Sequence, residues 1–139
     1  MSAEFNYSLA FSRNIGWFTE GDQETLRRSK VAIAGMGGVG GNYLLTLARL
    51  GVGQFKIADF DQFEIGNFNR QVGATVSHLG RDKAMTMAEM AKDINPEIQI
   101  EVFDKGVDPQ NLDTFLDGVN LYLDGLDFYC LTIREQVFA

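Results

Sequence analysis

The densest run of chemically able side chains is Asp59-Phe-Asp61-Gln-Phe-Glu-Ile-Gly-Asn67-Phe-Asn69-Arg70-Gln71. Asp59, Asp61, Asn67 and Arg70 within thirteen residues exceed what a hydride-transfer enzyme needs here, since one carboxylate suffices for the ribose hydroxyls. The surplus suits a site that also handles a reacting phosphate. Lys83 follows, with Arg81, in the opening turns of a predicted helix, where the dipole disfavours cations and Asp82 offsets part of the charge. A solvated basic helix start is the plainer reading of that pair. Upstream, five glycines crowd into seven residues: Gly35, Gly37, Gly38, Gly40 and Gly41. Glycines at that density let a backbone turn sharply and come close to a phosphate, which the free N–H groups of a following helix then face.

These residues need elements to hold them. Val31-Ala32-Ile33-Ala34 has the length and character of one buried strand, and it runs directly into the glycines. A helical pattern follows with Val39, Tyr43, Leu47 and Leu50 on its apolar face, ended by Gly51 and Gly53. Phe55-Lys56-Ile57-Ala58 then leads into Asp59. Gly35-x-Gly37-x-x-Gly40, with an acid about twenty residues on, fits the dinucleotide fingerprint of a Rossmann-like fold. Residues 60–78 are too polar and glycine-dotted for a standard crossover. A second helix is expected from about Leu79 to Ile94, starting anywhere between Thr75 and Gly80, with Ala84, Met87, Ala88, Ala91 and Ile94 on one face. Asn95-Pro96 stops it. Ile98 to Val102 alternates as a third strand, Asp108-Pro109 opens a short helix with Leu112, Phe115 and Leu116 inward, and Val119 to Leu123 is a fourth strand. Leu131–Ala139 begins another helix. Alternating strands and helices with right-handed crossovers predict an α/β fold: a parallel sheet of order 3-2-1-4 with helices on both faces.

Before the first strand, residues 1–28 hold Phe5, Tyr7, Phe11, Trp17 and Phe18, a segment that docks on a surface, and a short helix capped by Thr19-x-x-Asp22. Residues 29–139 form the nucleotide-binding domain. The last helix has no cap and no glycine stop, so the chain reads as the N-terminal portion of a longer protein, folding poorly and inactive alone. The net charge of −7 argues against nucleic-acid and membrane-surface partners. The N-terminus lacks a signal-peptide pattern, and the single Cys130 suits a reducing cytoplasm and reads as a small packing residue. His78 is solitary and reads as a loop residue.

The stretches SKVAIAGMGGVGG, IADFDQFEIGNFNRQ, LGRDKA, INPEIQIEVF and LYLDGLD resemble, in order and spacing, the adenylyltransferase domain of the ThiF/MoeB/ubiquitin-activating superfamily. The resemblance runs from Ser12-Arg13 to near the chain's end. It implies ATP-dependent adenylylation of the C-terminal carboxylate of a ubiquitin-like or sulfur-carrier protein. It implies that Gly35, Gly37, Gly38, Gly40 and Gly41 line the ATP phosphates, that Asp59 holds the ribose, and that Asp61 supports it or the loop. Asn67, Arg70 and Lys83 would contact the phosphates around the reacting phosphorus, with Gln71 in the same motif. Asp127 would bind Mg²⁺, and Arg13 would act across a homodimer. Elementary chemistry agrees: a carboxylate attacking an α-phosphoryl group brings two anions together, so cations must neutralise the charge, and no general base is required.

Three departures from the family pattern stand out: Gly41 where many relatives have serine, Phe128 where asparagine is usual, and Arg134 two residues late. The family's tail groove, crossover loop, zinc cysteines and thioester cysteine are absent, so a zinc site belongs only to a part beyond these residues. Two other functions share part of the pattern. An NAD-binding oxidoreductase would use the glycines and Asp59 but leave Asn67, Arg70, Lys83 and Asp127 idle. A non-catalytic activating-enzyme subunit would not need Arg70, Lys83 and Asp127 together. The acceptor itself stays open among sulfur-carrier protein, ubiquitin-like protein, peptide and tRNA-modification substrate.

Overall fold

A computed structural model of the chain describes residues 4–127 and 130–139. The departure at Phe128 lies outside the described residues. In chain order the elements are α1 (Tyr7–Ala10), α2 (Glu20–Arg28), β1 (Lys30–Ala34), α3 (Gly38–Leu50), β2 (Gln54–Ala58), α4 (Lys83–Ile94), β3 (Gln99–Phe103), α5 (Leu112–Leu116), β4 (Leu121–Asp124) and α6 (Leu131–Val137). Short 3₁₀ turns fill Ser12–Asn14, Ile65–Asn67 and Val76–His78. The four strands form one parallel sheet in the order β3-β2-β1-β4, as the alternation predicts. Ile33 sits between Ile57 and Leu123 in register, and Ile57 between Ile33 and Val102.

Strand alternation divides the core into two layers. Val31, Ile33, Phe55 and Ile57 pack under α3 and α4 with Leu44, Ala48, Met87 and Ala91, all of them buried. Each large side chain so buried contributes roughly 1.5–3 kcal/mol. Ala32, Ala34 and Ala58 face the other way, onto Phe115 of α5. Lys56 also points to that side, where its Nζ donates to the carbonyls of Thr114 (2.6 Å) and Asp117 (3.0 Å). A buried ammonium is tolerable in a central strand because it caps the negative end of α5.

Several elements differ from expectation. On α3 the buried residues are Gly40, Gly41, Leu44 and Ala48, whereas Val39 and Tyr43 are exposed. Backbone approach decides this: a Cβ on Gly40 would run into the Gly35 carbonyl, so the helix turns its glycines, not its bulkiest apolar residues, toward the sheet. The second long helix starts at Lys83, later than predicted, because the preceding residues close a separate 3₁₀ turn and Arg81 donates its backbone N–H to the His78 carbonyl. Pro109 does not open α5. The Asp108 carboxylate accepts from the backbones of Gln110 and Asn111 (2.8 and 2.9 Å), making a side-chain-closed turn that delays the helix to Leu112. β4 is shifted two residues from the predicted start, since Asn120 is used to grip the Lys30 backbone, its Oδ1 accepting at 2.8 Å.

In the N-terminal segment Tyr7 and Phe11 are buried, with the Tyr7 hydroxyl donating to the Gly51 carbonyl at 2.5 Å. Trp17 takes no part and is 88% exposed. Thr19 and Asp22 form the predicted reciprocal cap of α2. Among the described residues no helix is long and apolar enough to cross a membrane.

Candidate functional site

A cleft of about 520 Å³ opens at the C-terminal ends of the strands. That is where a sheet with this strand order leaves a crevice, because the crossovers on either side of β1 run in opposite directions. The glycine turn after β1 forms its floor. Gly35 has φ +93°, a left-handed conformation, and lies so close to Gly125 that a side chain would strike that residue's carbonyl. Gly35, Gly37 and Gly38 line the cleft. Gly40 and Gly41 do not: they are buried beneath it, Gly41 beside Met87 and Val72.

Asp59, at the end of β2, faces the cleft and braces its floor. One carboxylate oxygen accepts from the Met36 N–H (2.8 Å) in the glycine turn and the other from the Asp61 N–H (2.8 Å). Burial pushes this carboxyl above the usual aspartate value, against those hydrogen bonds and the nearby positive charge of Lys83. A carboxylate has about four lone-pair positions, so two remain for a ligand's hydroxyls. Asp61 lines the cleft and is exposed, and its carbonyl accepts from the Lys83 N–H at 3.0 Å, tying the loop to the first residue of α4.

Lys83 is only 6% exposed and lines the cleft. Its Nζ sits 5.9 Å from the Phe63 ring, and among the described residues no carboxylate lies within 4.0 Å of it. Arg81 behaves differently, reaching outward to Glu89 at 2.9 Å. The plain surface reading therefore holds for Arg81 and not for Lys83. Arg70 also lines the cleft, its stem against Gly38 and its Nη1 donating to the Gly66 carbonyl (3.1 Å) and Asn69 (3.0 Å). Asn67 spends its amide oxygen on the Glu64 N–H at 2.8 Å, folding the loop so that it borders the cleft. Gln71 lines it as well.

On the β4 side stand Asp124, Gly125, Leu126 and Asp127. Asp127 is exposed. Asp124 is paired with Arg134 of α6, which also donates to the Leu126 carbonyl at 2.7 Å. Sequence reasoning missed this pair. The available signal was an arginine out of its usual place, ten residues after an acid that ends a strand. Cys130 is only partly buried and lines the cleft, so it is less enclosed than a packing residue. His78 is a loop residue as expected, its Nδ1 2.8 Å from the Gly73 carbonyl and its ring stacked on Phe63.

Arg13 is not brought to the cleft. It sits exposed on the 3₁₀ turn Ser12–Asn14, whose Asn14 donates to the Leu50 carbonyl at the far end of α3. That 13-residue helix separates Arg13 from the glycine turn by about 20 Å, beyond the reach of its own chain's site. For metals, no cluster of three or more His, Cys, Asp or Glu side chains is present among the described residues.

The chain is similar to tRNA threonylcarbamoyladenosine dehydratases. It is 36% identical to that of Bacillus subtilis over 125 residues, covering 89% of this chain and 49% of the relative. It is 32% identical to that of Haemophilus influenzae over 123 residues, covering 88% and 47%. The chain thus spans about half the length of these curated relatives. Among solved structures, the Escherichia coli enzyme TcdA in complex with ATP superposes with a TM-score of 0.85 at 27% identity, covering 96% of this chain and 59% of that one.

These relatives correct the expected acceptor and partners. Proteins similar over nearly the whole chain are named for a tRNA nucleoside, which overturns a ubiquitin-like or sulfur-carrier protein as the partner and ubiquitin-like modifier activation as the activity. It equally overturns the exclusion of nucleic acid from net charge. Neither error was avoidable from these residues: neutralising an α-phosphate takes the same cations whichever molecule brings the attacking oxygen. A net charge summed over half a relative's length also says little about where a large polyanion would lie. The model of the ThiF family matches residues 11–138, and this chain belongs to that family.

Proposed function

We propose that this chain supplies the ATP-binding half of an enzyme that dehydrates a tRNA-borne nucleoside of the threonylcarbamoyladenosine type. ATP is spent there as a substrate. The observation that carries the reading is Lys83, a buried cation with no carboxylate within ion-pair distance among the described residues, facing a glycine turn beside Arg70. An unpaired buried charge is costly, and an incoming phosphate relieves it.

The chemistry is that of making an oxygen leave. Hydroxide departs poorly from carbon, whereas AMP departs well. An oxygen of the threonylcarbamoyl carboxylate attacks the α-phosphorus of ATP and pyrophosphate leaves. A nucleophile within the same nucleoside then displaces AMP, which carries off that oxygen, and a proton is released. The sum is nucleoside plus ATP giving dehydrated nucleoside, AMP and pyrophosphate. The attacking carboxylate is ionised at neutral pH, so the chain need supply no base. Its task is to bring two anions together: Lys83 and Arg70 neutralise the phosphates, the N–H groups at the start of α3 receive them, and the spare lone pairs of Asp59 accept the ribose hydroxyls. Asp127, exposed at the rim, suits a Mg²⁺ shared with the phosphates, a mode that asks only one or two carboxylates of a protein. That ion would offset the charge on the departing pyrophosphate.

The test is AMP release from ATP by the purified protein, with tRNA carrying threonylcarbamoyladenosine or the same tRNA lacking the modification. AMP should form only with the modified tRNA. Equal AMP formation with both, or with neither, overturns the reading.

A further inference from the structure

The far end of α3 is gripped by side chains that have no role in the account above. Gln23 is the one buried residue of α2, and its Nε2 donates to the Leu50 carbonyl (2.8 Å) and the Tyr7 hydroxyl (3.1 Å). Its Oε1 accepts from Asn14 Nδ2 (3.2 Å), which also donates to the Leu50 carbonyl (3.3 Å). The Tyr7 hydroxyl donates in turn to the Gly51 carbonyl. Three side chains from outside α3 thus converge on two consecutive carbonyls. The helix does not need them in order to stop. Gly51 adopts φ +97°, and its N–H and that of Val52 already bond back to the Ala48 and Leu47 carbonyls (3.1 Å each). The network sits so close that a Cβ on Gly51 would strike both Gln23 Nε2 and the Tyr7 hydroxyl. α3 does need an axial stop. Its buried residues are Gly40, Gly41, Leu44 and Ala48, so only one large side chain interlocks there, and a smooth face resists sliding poorly. The hydrogen bonds of a helix run along its axis, so a displacement at Leu50 reappears about 20 Å away at Gly38, on the cleft.

We propose that Gln23 is a positioning residue for the nucleotide cleft: with Tyr7 and Asn14 it holds α3 at one height along its axis, and so fixes where the N–H groups at the helix start stand. The proposal rests on the ATP-using reading above. Gln23 touches no substrate and acts only through α3. Loosening it therefore moves the groups that face the phosphates, while Asp59, which ends β2, stays in place for the ribose. The loss falls on the triphosphate and spares the nucleoside.

The experiment compares the wild-type protein with Gln23→Leu, Tyr7→Phe and Thr19→Ala, the last removing the cap of the same helix α2 without touching the network. Calorimetry reads the affinity for ATP and, by competition, for adenosine, at a temperature where circular dichroism shows each variant folded. Gln23→Leu should raise the Kd for ATP at least about fivefold, the scale of one lost hydrogen bond to a charged group, and leave adenosine unchanged. Thr19→Ala should lower Tm and leave both affinities as in wild type. A folded Gln23→Leu protein that binds ATP as wild type does, or that loses ATP and adenosine alike, makes Gln23 a residue of the fold only and overturns the proposal. So does an equal loss of ATP affinity in Thr19→Ala. If Gln23→Leu does not fold, Tyr7→Phe, which deletes one oxygen of the network, decides on the same readings. Failure of the wild-type protein itself to bind ATP overturns instead the reading on which the proposal rests.

Discussion

Replacing Lys83 by methionine separates a charge that serves chemistry from one that serves the fold. Methionine removes the cost of burying an unpaired cation, and two smaller terms act on the ligand-free protein and oppose each other. The cation sits at the first residue of α4, where the helix dipole disfavours it by about 0.3–1 kcal/mol. Its place over the Phe63 ring, 5.9 Å from the centroid, returns about 0.5–1 kcal/mol. Methionine keeps most of the buried stem, so the ligand-free variant should be at least as stable as wild type, to within about 1 kcal/mol or about 4 °C in Tm. The loss in rate is of another size. Removing one group that stabilises developing charge in a water-poor site lowers turnover by about a hundredfold to a thousandfold, about 3–4 kcal/mol. Calorimetry of the ligand-free protein and AMP formation with modified tRNA would be measured on the same preparation. Activity within about threefold of wild type would return Lys83 to the role of a buried structural lysine. A Tm loss above about 8 °C would show that the rate effect is indirect.

Three further outcomes are expected. Burial raises the Asp59 carboxyl, so the folded chain binds that proton more readily than the unfolded one; the stability this contributes is full below the ordinary aspartate value and is lost as pH rises through the raised one. A carboxyl NMR titration should place the Asp59 midpoint above that of Asp22, which the Thr19 backbone holds low, and Lys83→Met should raise Asp59 further; a midpoint below that of Asp22 refutes this. Arg134→Ala strips Asp124 of its cation at the cleft edge, so the KM for ATP should rise about tenfold with little change in kcat, and steady-state kinetics showing an unchanged KM would exclude a part for this ion pair in shaping the cleft edge. Gly40→Ala drives a Cβ into the Gly35 backbone and should cost more than about 3 kcal/mol in urea unfolding, whereas Gly66→Ala, with nothing near its Cβ, should stay within about 0.5 kcal/mol; similar values for the two would contradict the close packing of α3.

The strands, their parallel order and the acid Asp59 after the second strand were legible in the chain because their signals are local, whereas Asn67, Arg70 and Lys83 were singled out as site residues through the family resemblance. Apolar runs of strand length, glycines between strand and helix, the Thr19–Asp22 cap and an acid after the second strand each act through neighbours in sequence. Three-dimensional packing decided the rest. Spacing put Val39 and Tyr43 on the inner face of α3, but the face that can approach closest wins, and it is the one with Gly40 and Gly41. Spacing could not tell Arg81 from Lys83; a turn before α4 sends one to Glu89 in solvent and the other into the cleft. Nor could it show that Asp124 is held by Arg134, that Arg13 lies a helix length from the site, or that Oε1 of Gln71 is buried without a partner among the described residues. Each depends on distances between residues far apart in the chain. The choice of acceptor was beyond both, because the half that cradles phosphates responds to their charge, which every substrate activated by ATP shares.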